Sequence, residues 1–163
     1  MTEYLRDLYN NVKLYLMAIE VRKATLTDIN AIYALVKELA IYENEGDAVT
    51  ATLDDYKRDF LEELWDSTVA TDNGTIVGIT IYFNTYSTWK GKMFWLEDFV
   101  ITEDYRRTGL GQMLWDAIIA EAKATNCVMM KWQVLDWNEP AVKFYEKNKA
   151  IIEKNWWNGK VFF

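Results

Sequence analysis

Ile29, Ile32, Tyr33, Val36 and Leu39 fall three or four residues apart, which places them on one stripe of a helix opened by Thr27. Thr52-x-x-Asp55 has the form of a capping box and predicts a second helix. Leu114, Trp115, Ile118, Ile119 and Ala122 mark a third over 109–125, and Pro140 opens a short fourth that carries Phe144 and Tyr145. Other stretches read as strands: Ile19 to Ala24, Ser67 to Thr71, Thr75 to Tyr86, Met93 to Ile101 and Val128 to Val134. Asp72-Asn73-Gly74 predicts a tight hairpin between the second and third, and Trp89-Lys90-Gly91 turns the chain into the fourth. Beyond Ala150, Ile151 to Glu153 and Lys160 to Phe163 are expected to form a last hairpin about Asn158-Gly159. Leu5, Leu8, Tyr9, Val12 and Leu16 are spaced for a short amphipathic helix in an extension over residues 1–16. An upstream in-frame start before Met17, or an arm without structure, explains the same residues. The expected whole is one mixed α/β domain over 17–163.

The central strand is interrupted by two adjacent carboxylates, Glu97 and Asp98. An unpaired carboxylate inside a strand costs several kcal/mol, roughly, so such a pair has a partner or a task. The strand leads into Arg106-x-x-Gly109-x-Gly111 and then directly into a helix. Glycines there let backbone N–H groups converge at a helix N-terminus, an arrangement suited to phosphate. A Gly-x-Gly before a helix is also compatible with nothing more than a tight turn.

Composition narrows the chemistry. The net charge of −7 and the absence of a basic face argue against a nucleic-acid partner and favour a cationic small substrate. With no histidine, acid–base work near neutral pH falls to carboxylates, Tyr, Cys, Lys or water. The single Cys127 allows no intramolecular disulfide and is read as a packed thiol in a reducing compartment. No stretch is long and apolar enough to span a membrane and no signal peptide is evident, so a cytoplasmic protein is expected.

Strand, Arg-x-x-Gly-x-Gly and helix, in that order, resemble the coenzyme A-binding motif of the Gcn5-related N-acetyltransferases. Tyr86-Ser-Thr-Trp-Lys-Gly-Lys92, Leu96-Glu-Asp98, Val134-Leu-Asp-Trp-Asn-Glu-Pro140 and Phe144-Tyr145 are similar to the diamine (spermidine/spermine) and thialysine acetyltransferase branch. The resemblance spans roughly residues 19 to 157. It implies the acyl-CoA N-acyltransferase fold, a mostly antiparallel central sheet flanked by helices. It also implies acetyl transfer from acetyl-CoA to a primary amine by direct attack, no metal, and a homodimer.

The site residues follow from the same resemblance. Glu97 is implied as the base, acting through water, and Tyr145 as the acid near the coenzyme sulfur. Phe99, Val100 and Ile101 would hold the pantetheine arm through their backbone. Arg106, Arg107, Thr108, Gly109, Leu110, Gly111 and Gln112 would hold the pyrophosphate, with Asn138 and Ala141 completing the coenzyme site beside Tyr145. Tyr42, Glu43, Trp89, Glu97 and Asp98 would receive the amine. On residues alone, Tyr145 reads equally as a packing aromatic, Glu97 as an ion-paired carboxylate, Arg106 and Arg107 as surface cations, and Glu43 with Glu45 as a solvated loop. Two departures stand out. Lys149-Ala150 replaces the family's Gly-Ala, so Asn148 or Lys149 must make that turn without glycine. Glu153 to Trp157 matches the diamine enzymes poorly, while Val-Leu-Asp-Trp-Asn looks closer to thialysine-type members. A polyamine and a lysine-like amino acid both stay open as acceptors, beside a protein or peptide amine and a coenzyme-binding sensor without turnover.

Overall fold

Asp28 shows how the first layer is tied together. Its carboxylate accepts from the backbone N–H and the hydroxyl of Thr25 at 2.8 and 2.9 Å, and receives both arms of Arg22 at 2.7 and 2.9 Å. Thr25, and not Thr27, is therefore the residue from which the chain enters the helical turn Leu26–Asp28 and then helix α1 (Ile29–Tyr42). Thr27 only shares a hydroxyl contact with Thr25. The structure, a computed structural model, describes residues 19–162. The expectations for residues 1–16, the start at Met17 and Phe163 lie outside the described residues.

The described chain divides into two compact units, the first ending at Trp132 and the second beginning at Gln133. The first holds a five-stranded sheet in chain order, β1 (Ile19–Lys23), β2 (Asp66–Asp72), β3 (Thr75–Ser87), β4 (Gly91–Ile101) and β5 (Met129–Lys131). Pairing is antiparallel from β1 to β4 and parallel between β4 and β5. Asn73 and Gly74, both at positive φ, make the tight turn between β2 and β3. Helix α1 and helix α2 (Leu53–Leu61) cover one face of the sheet, where Ile29, Ile32 and Val36 pack on Val69, Ile79, Ile81 and Val100. Helix α3 (Leu110–Ala124) covers the other, with Leu110 and Leu114 on Ile19, Ala70 and Val77. Gly78 lets α3 come this close: a Cβ there would sit 2.9 Å from methyl carbons of both Ile101 and Leu114. The capping box of α2 forms as its sequence implies, Thr52 and Asp55 exchanging side-chain and backbone bonds at 2.9 and 3.2 Å.

The fifth expected strand is shorter in the structure. β5 stops at Lys131 and does not reach Val134, and its ladder covers only Met93, Phe94 and Trp95 of β4. The ladder ends where β4 changes register against β3, between Leu96 and Asp98, and a strand bends at such a point. Met129, Met130 and Trp132 are half-buried, with Trp132 set edge-on to Trp115 at 5.4 Å.

The second unit holds helix α4 (Glu139–Lys147), capped by Asn138, whose side-chain oxygen accepts from the Ala141 N–H at 3.3 Å. Residues 151–162 contain no strand, so the expected last hairpin is absent among the described residues. Ile151, Trp157, Val161 and Phe162 are exposed, and a two-stranded hairpin with no buried face is marginal in water.

Each helix ends in the same way. Glu45, Leu64, Cys127 and Ala150 donate back to the carbonyls of Ala40, Asp59, Ala122 and Tyr145, at 2.8 to 3.0 Å. The residue before each donor is left-handed: Asn44 at φ 61°, Glu63 at 57°, Asn126 at 60° and Lys149 at 63°. This is the terminus for which glycine is usually chosen, and none of the four is glycine.

Candidate active site

The register change in β4 decides where the two carboxylates point. Ile81 faces Asp98 and Tyr82 faces Leu96, so Glu97 is an extra residue with no counterpart on β3. In a regular strand, neighbours point to opposite faces. Across this bulge Asp98 stays on the face of Ile81 and Val100, under α1 and α2, and Glu97 joins it there. Both line one cavity of about 360 Å³ together with Tyr56, Trp65 and Phe83. The Trp95 indole N–H donates to the Glu97 carboxylate at 2.6 Å and holds it.

Asp98 is the more perturbed of the pair. Burial first, then the charges of Glu97 and Glu43, push its carboxyl up to about 7. Glu43 stands at the C-terminal end of α1, where the helix dipole disfavours an anion. Its own carboxyl is raised by burial and by Glu45. Burial, followed by the charge of Asp98, pushes the Tyr56 phenol up to about 12, so it keeps its proton at neutral pH. The structure thus gathers Glu43, Glu97 and Asp98 electrostatically, three residues that the sequence assigns to the acceptor end.

Tyr42 and Trp89 do not line the cavity of Glu97 and Asp98. Tyr42 lies under the Arg106 guanidinium, 5.2 Å from ring centroid to carbon, and lines a second cavity of about 240 Å³ with Val100, Ile101 and Arg106. Trp89 lies at the turn between β3 and β4, 82% exposed, and lines neither cavity. The cavity's rings come instead from Tyr56, Trp65 and Phe83, which sequence reasoning passed over. A signal for the first was available, since Tyr56 and Phe60 are four residues apart on α2 and so share its buried face.

At the end of β4, the Thr102 N–H donates to the Val77 carbonyl on β3. By strand alternation Val100 turns its backbone polar groups the same way, and Phe99 and Ile101 turn theirs to the opposite edge, beyond the β5 ladder. Arg106 Nε donates to the Ile101 carbonyl at 3.1 Å, which keeps that side chain along the strand end. Arg107 is exposed and left-handed, at φ 63°. Gly109, at φ 103°, opens α3 in a conformation that side chains rarely adopt. The Thr108 hydroxyl donates to the Tyr105 carbonyl at 2.7 Å and fixes the loop, and the N–H groups of Leu110 and Gly111 begin the helix. Gln112 spends its side-chain amide on Asp116. In the second unit, Tyr145 is buried on α4 with its ring edge-on to Phe144 at 5.7 Å, and Lys149 makes the turn that follows. Among the described residues no cluster of His, Cys, Asp or Glu is arranged to hold a metal ion, and no helix is long and apolar enough to cross a membrane.

A bulge thus aims a carboxylate pair into a cavity, on a strand that runs into a glycine-opened helix. The model of the acetyltransferase (GNAT) family matches residues 29–149, and the chain belongs to that family. It is therefore an N-acetyltransferase with acetyl-CoA as co-substrate. Spermidine/spermine N(1)-acetyltransferase-like protein 1 of Homo sapiens is 31% identical over 150 residues, covering 84% of this chain and 21% of the relative. Thialysine N-epsilon-acetyltransferase of Caenorhabditis elegans is 28% identical over 127 residues, covering 78% of this chain and 79% of the relative. The chain thus spans about a fifth of the human relative and most of the nematode one. The fold is also that of an aminoglycoside acetyltransferase from an uncultured soil metagenomic sample, with a TM-score of 0.76 at 13% identity over 90% of this chain and 97% of that one. A possible acetyltransferase from Clostridium difficile 630 gives 0.71 at 23% identity, over 90% and 99%.

Proposed function

We propose that this enzyme acetylates the primary amine of a small cationic substrate, a polyamine or a lysine-like amino acid, and that the bulge of β4 is its acceptor site. The observation that carries the reading is the cavity in which Glu97 and Asp98 stand side by side. A primary amine has a pKa of about 10.4, so near pH 7 only about one molecule in a few thousand is nucleophilic. A carboxylate must attract the ammonium form and take a proton from it. Glu97, held by the Trp95 indole, is assigned the proton transfer through water, and Asp98 with Glu43 the attraction of the cation.

In the reaction the amine nitrogen bonds to the thioester carbonyl carbon and the carbon–sulfur bond breaks. The amine's surplus proton passes to the carboxylate, and the leaving thiolate takes a proton from Tyr145, assigned that role by its Phe-Tyr motif. Acetyl-CoA supplies the activated acyl group. The residues assigned to it in the first unit are the outward-turned backbone of Phe99 and Ile101, the Gly109-opened start of α3 and Arg107 at the same loop; Asn138, at the cap of α4, is assigned to it by its motif alone. Arg106 is assigned there too, once its side chain leaves Tyr42. The relatives named for spermidine/spermine and for thialysine support both acceptor classes.

Release of free coenzyme thiol from acetyl-CoA, measured at about pH 8 with spermidine, lysine and thialysine in parallel, tests the reading. Turnover with at least one of them is expected. No turnover with any, while acetyl-CoA still binds, refutes it in favour of a peptide amine or a sensor.

A further inference from the structure

Nothing in the strand and loop motifs accounts for the far wall of the acceptor cavity. That wall is built by α2 and by the residue preceding β2. Tyr56 and Trp65 meet edge-on with ring centroids 5.6 Å apart, and Phe60 supports Trp65 from behind at 5.1 Å. Tyr33 of α1 braces Tyr56 at 5.0 Å. The rings are thus held in place before any ligand arrives, facing Glu97 and Asp98 across the cavity. Asp59 also lines it, but Arg58 spends its guanidinium on Asp59 and Asp55 at 2.8 and 2.6 Å. Among the described residues, no basic side chain lines the cavity.

From this arrangement we infer that Tyr56 and Trp65 are specificity-determining residues, a fixed aromatic wall that accepts the alkyl chain and second positive charge of a diamine and gives no counter-charge to a carboxylate. The inference rests on the acceptor reading given above and narrows it. A cation over an aromatic face gains from the ring quadrupole, and the methylenes of the chain lie on the same surface. An acceptor of equal length that ends in a carboxylate brings a like charge into a cavity lined by Asp59, Glu97 and Asp98 and finds the nearby guanidinium already engaged.

The test compares 1,4-diaminobutane, butylamine and 4-aminobutanoate as acceptors for the wild type, Tyr56→Leu, Trp65→Leu and Trp65→Phe. Thermal melting establishes that each variant is folded, and Trp65→Phe keeps a ring for packing should Trp65→Leu fail to fold. The wild type is expected to prefer the diamine over 4-aminobutanoate by at least tenfold in kcat/KM. Each Leu variant should raise the diamine KM about fivefold to tenfold, and Trp65→Phe should do so by less. The KM for acetyl-CoA should stay unchanged, and the preference for diamine over butylamine should shrink in the same order. Calorimetric binding of 1,4-diaminobutane in the presence of coenzyme A is read alongside. Diamine binding that weakens in the Leu variants without any turnover would overturn the acetyl-transfer reading of this cavity and leave the wall standing. Normal turnover, with diamine KM and charge preference within twofold of wild type in folded variants, would overturn the wall.

Discussion

Asp98→Asn isolates the electrostatic cost of the acceptor cavity. Asn keeps the shape of the side chain and removes its titration. In the folded protein the Asp98 carboxyl is pushed from its ordinary 3.8 to about 7, chiefly by burial and secondly by Glu97 and Glu43. A rise of about three pH units, at about 1.4 kcal/mol each, means that ionising Asp98 in the fold costs about 4 kcal/mol more than ionising it in the unfolded chain. The sign follows from proton binding. Between pH 4 and 7 the folded state holds a proton that the unfolded state has lost, so this stability is complete below about 4 and is lost as the pH rises to about 7. Against a usual total of about 5–15 kcal/mol this is a large term. Urea denaturation of both proteins at several pH values between 5 and 8 reads it directly. Asp98→Asn should gain on the wild type as the pH rises, reaching about 2–4 kcal/mol at pH 8. A stability difference that does not change with pH would refute the argument. The wild-type rate with a diamine should fall as the pH drops through about 7, and the variant should lose that limb.

Other perturbations probe separate parts of the molecule. Gly78→Ala puts a methyl 2.9 Å from Ile101 and Leu114 and 3.2 Å from the Val100 carbonyl oxygen, and should cost about 1–3 kcal/mol in chemical denaturation. Lys149→Gly, at φ 63°, should raise stability by about 1 kcal/mol, visible as a higher Tm; a fall in Tm would show that the left-handed turn is not strained. Tyr145→Phe should lose most of its turnover while binding acetyl-CoA nearly as before, and full activity would remove its assignment as the acid. Arg107→Ala should weaken coenzyme binding, with a reduced dependence of affinity on salt, and unchanged affinity would sink its phosphate role.

Much of the fold is legible because its signals are local. Thr52-x-x-Asp55, Asp72-Asn73-Gly74 and the stripe of α3 each specify their element from within a few residues, and each forms as read. Helix ends lack the usual glycine stop signal, since all four left-handed termini carry Asn, Glu or Lys, yet the end of α3 and the turn at Lys149 form as read. The entry to α1 lies two residues before the expected one because the decisive bonds belong to Asp28, which is recruited by Arg22 of β1. Glu97 and Asp98 were recognisable as unusual, but their common direction depends on a register change against β3, which sequence alternation cannot reveal. Tyr56 and Trp65 were missed for a related reason. They lie on either side of a helix end and meet only after the chain has turned at Glu63.

The bulge also bears on how such a site can arise. Removing Glu97 would leave Leu96, Asp98, Phe99, Val100 and Ile101 on the faces they occupy now, because the sheet already aligns them as though Glu97 were not there. The strand's hydrophobic register is complete without it. A single-codon insertion into an ordinary strand could therefore add the second carboxylate without turning any core side chain to the other face. A single-codon deletion would remove that carboxylate and leave the strand's pairing with β3 in register.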